Sequence, residues 1–173
     1  MSEQGRSYRY VGPVDLRSAV RPGDSGRRVR SAAEFDDWIV ERSAAELVEP
    51  FTFVVDVGGA LLLAPRRSEH VACAGGGLVL SAGEIGFMRE AARWIVSEIS
   101  NQSTGYCPDV TSWSAVAHAL DRIGLGRPSG FTHEVTFRRC PDCQEHNIVR
   151  EDDFVCVFCD SVLPAAWNVD PAA

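Results

Sequence analysis

The sequence predicts an α+β fold with a central antiparallel β-meander, two packed helices and a C-terminal four-cysteine ribbon. Three observations support this. Short β-branched and aromatic stretches separated by turns fill the middle of the chain, two stretches carry apolar residues at helical spacing, and two Cys-x-x-Cys pairs lie in the last third. We divide the 173 residues into a basic, loop-rich arm (1–30), an α+β core (31–130), the ribbon (131–165) and a tail (166–173).

The two helices are predicted from capping signals. Ser31-Ala-Ala-Glu34 matches a capping box, so a helix should begin at Ser31 and end near Val48, before Pro50. A second helix should run over residues 112–123, where apolar side chains recur at helical spacing ahead of a glycine. Both helices would place an apolar face on the sheet.

The strands are predicted from turn signals. Phe51 to Val57 and Ala60 to Ala64 flank Gly58-Gly59, which is typical of a tight hairpin. Ile85 to Met88 and Arg93 to Ser100 should form a second hairpin. Together with the stretches on either side of Gly75 to Gly77, they suggest a meander of roughly five or six short strands. Phe131 to Phe137 alternates and predicts a strand that enters the ribbon.

Charge is unevenly distributed along the chain. The net charge is −7, but residues 1–30 hold seven arginines against three acids, so this arm carries +4. The arm could dock on the acidic body, bind an acidic partner or form a solvated tail. All 17 basic residues are arginine, which excludes Schiff-base, P-loop and kinase-type lysine chemistry and is typical of GC-rich bacterial genomes.

Two further patterns bear on location. No apolar stretch approaches the roughly 20 residues that span a bilayer. The N-terminus also lacks the charged and then apolar pattern of a signal peptide. We therefore expect a cytoplasmic protein that does not contact a membrane.

The two cysteine pairs predict a metal site. Cys140 and Cys143 are separated by twelve residues from Cys156 and Cys159, which is the spacing of a zinc ribbon. A disulfide pair would need an oxidising compartment, and an iron–sulfur cluster is the remaining alternative. Because four thiolates fill a tetrahedral shell, we expect one structural Zn²⁺ with no position for a catalytic water.

The ribbon is acidic. Residues 140–160 contain six acids and one arginine, a net charge of −5. This disfavours nucleic acid as a partner, because phosphate binding needs concentrated positive charge. A protein partner or a purely stabilising role fits better, while the core leaves room for a small-molecule ligand.

Several polar residues of the core are candidates for chemistry. A cleft that collects His70, Glu84, Asn101, Ser103 and Tyr106 would hold an acid–base pair and hydrogen-bond donors. Alternatively, these side chains tie loops to the backbone, as Ser, Asn and Tyr often do.

The order of these residues resembles a known domain. His70, Gly75 to Gly77, Ala82-Gly83-Glu84 and Ser103-Thr-Gly-Tyr106-Cys-Pro108 precede a helix. This order is similar to the central β-rich domain, with its Ser-Gly-His-Tyr-x-Pro motif, of plant IQ-motif calmodulin-binding proteins and of bacterial polymorphic-toxin and effector proteins. Thr104-Gly105 stands where that motif has Gly-His, and this chain has no IQ motif. The resemblance implies the fold outline and marks His70, Glu84, Ser103 and Tyr106 as site candidates.

Two functions follow from these observations. The first is a non-catalytic binding or regulatory module with a structural zinc ribbon, within a bacterial conflict or signalling system. The second is a transferase or hydrolase with a polar cleft around His70, Glu84 and Tyr106.

Overall fold

The structure is a computed structural model that describes residues 5–170. Its centre is a five-stranded antiparallel sheet with the strand order β1-β3-β2-β4-β5. A separate two-stranded sheet, β6-β7, lies in the cysteine ribbon. The predicted α+β class is confirmed. The strands are β1 (Arg27–Val29), β2 (Phe51–Asp56), β3 (Leu61–Ala64), β4 (Val79–Glu90), β5 (Arg93–Ile99), β6 (Thr136–Arg139) and β7 (His146–Val149).

The predicted hairpin between β2 and β3 is present. Asp56 closes its turn, because Asp56 Oδ1 accepts hydrogen bonds from the amides of Gly58 (3.0 Å) and Ala60 (2.9 Å). Gly59 has φ +85°, a conformation that favours glycine. The local turn chemistry therefore fixes the register in which β2 pairs with β3.

The second half of the sheet is one long hairpin rather than several short strands. β4 runs unbroken for 12 residues, and β5 returns through a turn at Ala91 and Ala92 with positive φ. Gly83 of β4 permits the close approach of Ser100, the residue after β5, since a Cβ on Gly83 would lie 1.9 Å from the carbonyl oxygen of Ser100. The glycine keeps the two backbones in contact where β5 ends.

Within residues 5–170, five α-helices and a short 3-10 helix (Val110–Ser112) accompany the sheet. The α-helices are α1 (Val14–Ser18), α2 (Ala32–Ile39), α3 (Ala44–Leu47), α4 (His70–Cys73) and α5 (Trp113–Ile123).

The helix predicted from Ser31 is shorter than expected. It ends at Ile39, because Ser43 starts a new helix with a capping box of its own. The Ser43 hydroxyl accepts from the Glu46 amide (3.2 Å), and the Glu46 carboxylate accepts from the Ser43 amide (3.0 Å). The helix over 112–123 is confirmed, with Gly124 at its end in the left-handed conformation.

The basic N-terminal segment packs on the body over residues 5–30. Tyr8 is 1% exposed and pairs with Val79 through two backbone hydrogen bonds. The stretch expected to be loop contains α1 and the edge strand β1. Ion pairs join Arg9 to Asp170 and Arg28 to Asp56. Two arginines of this segment thus pair with acids of the same chain.

Both faces of the central sheet are covered. On one face α2 and α5 pack over an aromatic cluster in which the Trp38 ring lies 4.9 Å from the Phe51 ring. On the other face α4 packs with Tyr8 and Tyr106. As a result, every residue of β2 up to Val55 is buried. Across residues 5–170, no helix has the length and apolar character needed to cross a membrane.

Candidate metal centre

The first cysteine pair lies on a turn directly after β6. The Gln144 amide donates to the carbonyl of Cys140 (3.0 Å), and the Cys140 amide donates to the carbonyl of Glu145 (2.9 Å). Gln144 has φ +67°, which turns the chain sharply after Cys143. This backbone arrangement points both sulfurs to the same side of the turn.

The second pair repeats this backbone pattern. The Asp160 amide donates to the carbonyl of Cys156 (3.0 Å), and the Cys156 amide donates to the carbonyl of Ser161 (2.8 Å). Asp160 has φ +64°, which corresponds to the positive φ at the end of the first turn. Two equivalent turns therefore face each other across the ribbon.

The four sulfurs form a compact group. Cys140 Sγ lies 3.6 Å from Cys159 Sγ, and Cys143 Sγ lies 3.6 Å from Cys156 Sγ. All four lie within 4.8 Å of one another. A tetrahedral zinc site with metal–sulfur bonds of about 2.3 Å needs sulfur–sulfur separations of about 3.8 Å. The four cysteines can therefore hold one metal ion.

Hydrogen bonds favour the thiolate form of the second pair. Burial raises the pKa of Cys156, but donation from the Asn147 side chain and the Phe158 amide, each 3.4 Å from its sulfur, outweighs burial and lowers that pKa to about 6. Contact with Ser161 lowers the pKa of Cys159. Asn147 also accepts from the Val157 amide (2.9 Å), which fixes its orientation toward the site. Metal binding requires such deprotonated sulfurs.

The ribbon is attached to the body through its last residues and the tail that follows them. Arg138 is buried and donates to the carbonyls of Pro164 (3.0 Å) and Ala165 (2.7 Å). Trp167 Nε1 donates to the carbonyl of Cys107 (2.8 Å) in the core. Residues 164–167 are thus hydrogen-bonded to the ribbon at Arg138 and to the core at Cys107.

His70 and Glu84 lie near each other at one side of α4. His70 Nε2 donates to the carbonyl of Gly83 (2.8 Å), and burial lowers the pKa of His70. The Glu84 side chain is exposed and lines a cavity of about 160 Å³ with Glu98 and His133. Neither His70 nor Tyr106 lines that cavity.

The other candidates are engaged with the backbone. The Tyr106 hydroxyl donates to the carbonyl of Gly77 (2.7 Å), and burial raises the pKa of Tyr106. The Ser103 hydroxyl accepts from the Tyr106 amide (3.3 Å). Asn101 is fully buried and joins two loops through three hydrogen bonds. These side chains stabilise the loop that leads to α5.

The two cysteines outside the ribbon are separate buried thiols. Cys73, the last residue of α4, packs in the cluster that contains Tyr8 and Tyr106, and Cys107 packs in the cluster that contacts Trp167. Burial raises the pKa of each to about 12. Both thiols therefore stay protonated near neutral pH.

A groove beside the four cysteines was not predicted from the sequence. It has a volume of about 510 Å³ and lies between the ribbon, the N-terminal segment and the loop around Cys107. Val157 and Phe158, on the second cysteine turn, are 73% and 64% exposed and line it. The apolar character of the two residues inside the Cys-Val-Phe-Cys turn was the available sequence signal for this groove.

Comparison with known proteins yields no match: no protein-family model, curated protein or solved structure matches this chain.

Proposed function

We propose that this chain is a non-catalytic binding or regulatory module in which one structural Zn²⁺ holds the ribbon and the ribbon contacts a protein partner. The observation that carries this proposal is the exposure of Val157 and Phe158 beside the groove. Large apolar side chains that stay exposed next to a concave surface are typical of interaction sites.

The donor set supports zinc as the ion. Four cysteine sulfurs on two paired turns match a closed tetrahedral site, and such sites are structural because every ligand position is filled. Around the cysteines the apolar cluster is small: Cys140, Cys156 and Leu163 are buried, and Val149 and Phe154 are partly buried against them. The metal would therefore supply much of the free energy that folds the ribbon.

The groove depends on the ribbon being folded. One side is formed by Ile148, Val157 and Phe158 of the ribbon, and the other by Val11 and Pro13 of the N-terminal segment. If metal removal unfolds the ribbon, one wall of the groove disappears. Zinc binding and partner binding would then be coupled.

Charge indicates the kind of partner. The ribbon carries −5 between residues 140 and 160, and a Zn²⁺ ion held by four thiolates adds about −2. The groove itself is lined mainly by apolar side chains. The occupant that fits is a protein segment with an apolar anchor residue and flanking lysines or arginines.

A peptide-display selection against the zinc-loaded protein tests the proposal. We expect enrichment of peptides with an apolar residue between basic residues. Phe158→Ala should weaken their binding about tenfold or more, as truncation of an anchoring aromatic usually does. Val40→Ala removes a valine that is 79% exposed outside the groove, and it should leave binding unchanged. Selected peptides that are acidic, or binding that ignores Phe158→Ala, would contradict the proposal.

The alternative function, a transferase or hydrolase, has less support. It needs a cleft that unites His70, Glu84 and Tyr106. However, the Tyr106 hydroxyl donates to the carbonyl of Gly77, and neither His70 nor Tyr106 lines the cavity at Glu84. Placement in a bacterial conflict or signalling system follows only from the resemblance described above and is part of the same proposal.

A further inference from the structure

Three arginines line one pocket of the core, formed by residues of β1, the β2–β3 turn and α5. Arg28 lies on β1, Arg30 follows it, and Arg122 lies in the last turn of α5. Together with Asp56 and the turn at Gly58, they line a concave space of about 320 Å³. The groove beside the ribbon shares no residue with this pocket.

The charges in this pocket do not balance. Among residues 5–170, Asp56 is the sole acid that lines it, and Asp56 Oδ1 is already bonded to the amides of Gly58 and Ala60. Asp56 Oδ2 lies 3.2 Å from the guanidinium of Arg28. Within the part of the chain that the structure describes, the guanidinium groups of Arg30 and Arg122 have no carboxylate within 4.0 Å. The carboxylate of Glu34 accepts from the backbone amide of Arg30 (2.7 Å) and does not line the pocket.

What distinguishes this pocket is that three arginines and a single acid line one concave surface. An arginine without an acid partner is not rare by itself, since among the described residues only Arg9, Arg28, Arg42, Arg66 and Arg127 lie within 4.0 Å of a carboxylate. The protein has 24 acids and 17 arginines, and arginines elsewhere, such as Arg42 and Arg127, pair with neighbouring acids. The guanidinium of Arg122 also has a defined place over the hairpin turn, with one nitrogen 3.4 Å from where a Cβ on Gly59 would lie. Three arginines that line one pocket with a single acid leave an excess of positive charge, and an anion would offset that charge.

We propose that this pocket binds a small dianionic oxyanion, either inorganic phosphate or a phosphomonoester. Two guanidinium groups without acid partners match two negative charges, and their planar N–H forks suit tetrahedral oxyanions. The turn amides are occupied by Asp56, so the arginine side chains provide the contacts. A nucleic-acid polymer fits less well, because the whole chain carries −7.

Phosphate titration followed by amide NMR tests this proposal at constant ionic strength in chloride buffer. We expect saturable shifts of the Gly58, Gly59 and Ala60 resonances. Arg122→Gln should weaken binding about tenfold, and adding Arg30→Gln should weaken it further by a similar factor. Arg21→Gln removes an exposed arginine outside the pocket and should leave the affinity unchanged. A parallel titration with phenyl phosphate shows whether free phosphate or a phosphoryl group on a larger ligand binds more tightly.

Two results would overturn the proposal. One is the lack of saturable shifts at the hairpin turn with either phosphate compound. The other is an equal loss of affinity in Arg21→Gln and Arg122→Gln, which would indicate non-specific attraction to positive charge. Because all three arginines are exposed, the variants should keep the melting temperature of the wild type. Arg30→Gln alone tests the contribution of Arg30 to phosphate affinity independently of Arg122.

Discussion

Replacing Asn101 with alanine should destabilise the protein strongly. The Asn101 amide donates to the carbonyls of Pro108 (3.0 Å) and Val135 (2.8 Å), and its oxygen accepts from the Val135 amide (2.7 Å). Asn101 is fully buried, so water cannot replace these bonds. The variant loses three hydrogen bonds of about 1 kcal/mol each and leaves buried backbone groups unpaired. We expect the free energy of unfolding to fall by roughly 3–5 kcal/mol.

Urea unfolding followed by tryptophan fluorescence measures this change. A loss of that size should also lower the melting temperature by about 10 °C, since 1 kcal/mol corresponds to roughly 2–4 °C in a chain of this length. Gln102→Ala is the matched control, because the neighbouring Gln102 side chain is exposed. If Asn101→Ala cost less than about 1 kcal/mol, similar to the control, the structural role assigned to Asn101 would be wrong.

Two other predictions concern the hairpin and α4. Gly83→Ala should lower the free energy of unfolding by several kcal/mol, since the added methyl would lie 1.9 Å from the Ser100 carbonyl oxygen. If the variant had the melting temperature of the wild type, that close contact would be contradicted. Burial lowers the pKa of His70 in the folded state, so the unfolded chain binds protons more readily as pH falls below about 6.5. The free energy of unfolding of the wild type should therefore decrease as the pH is lowered from about 6.5 to the folded-state pKa of His70. Urea titrations at several pH values measure this dependence, and His70→Gln should make it weaker. A pH dependence that is the same in the variant would refute the assignment.

The elements predicted correctly carry their information locally. The hairpin at Gly58-Gly59, the helix that ends at Gly124 and the paired cysteine turns each follow from residues only a few positions apart. The break after Ile39 was also readable, because the tetrapeptide Ser-Ala-Ala-Glu that starts α2 at Ser31 recurs at Ser43. Local patterns thus determine where turns and caps form.

The features missed depend on contacts between distant segments. β1 becomes a strand by pairing with β3, more than thirty residues away, and its own sequence has no clear alternation. His70–Cys73 is too short for periodicity to distinguish a helix from a strand. The groove and the arginine pocket each join residues from separate parts of the chain. Sequence spacing carries no information about such surfaces.

The central claim is that one zinc ion folds the ribbon and that the sheet is stable without it. The most direct measurement is the amide NMR spectrum of the purified protein before and after metal chelation, with metal content determined on the same sample. We expect one zinc per chain, and chelation should collapse the resonances of residues 138–163 to unfolded positions while those of β2, β4 and β5 persist. A ribbon that stays dispersed after complete metal removal, or a purified protein without stoichiometric zinc, would contradict the claim.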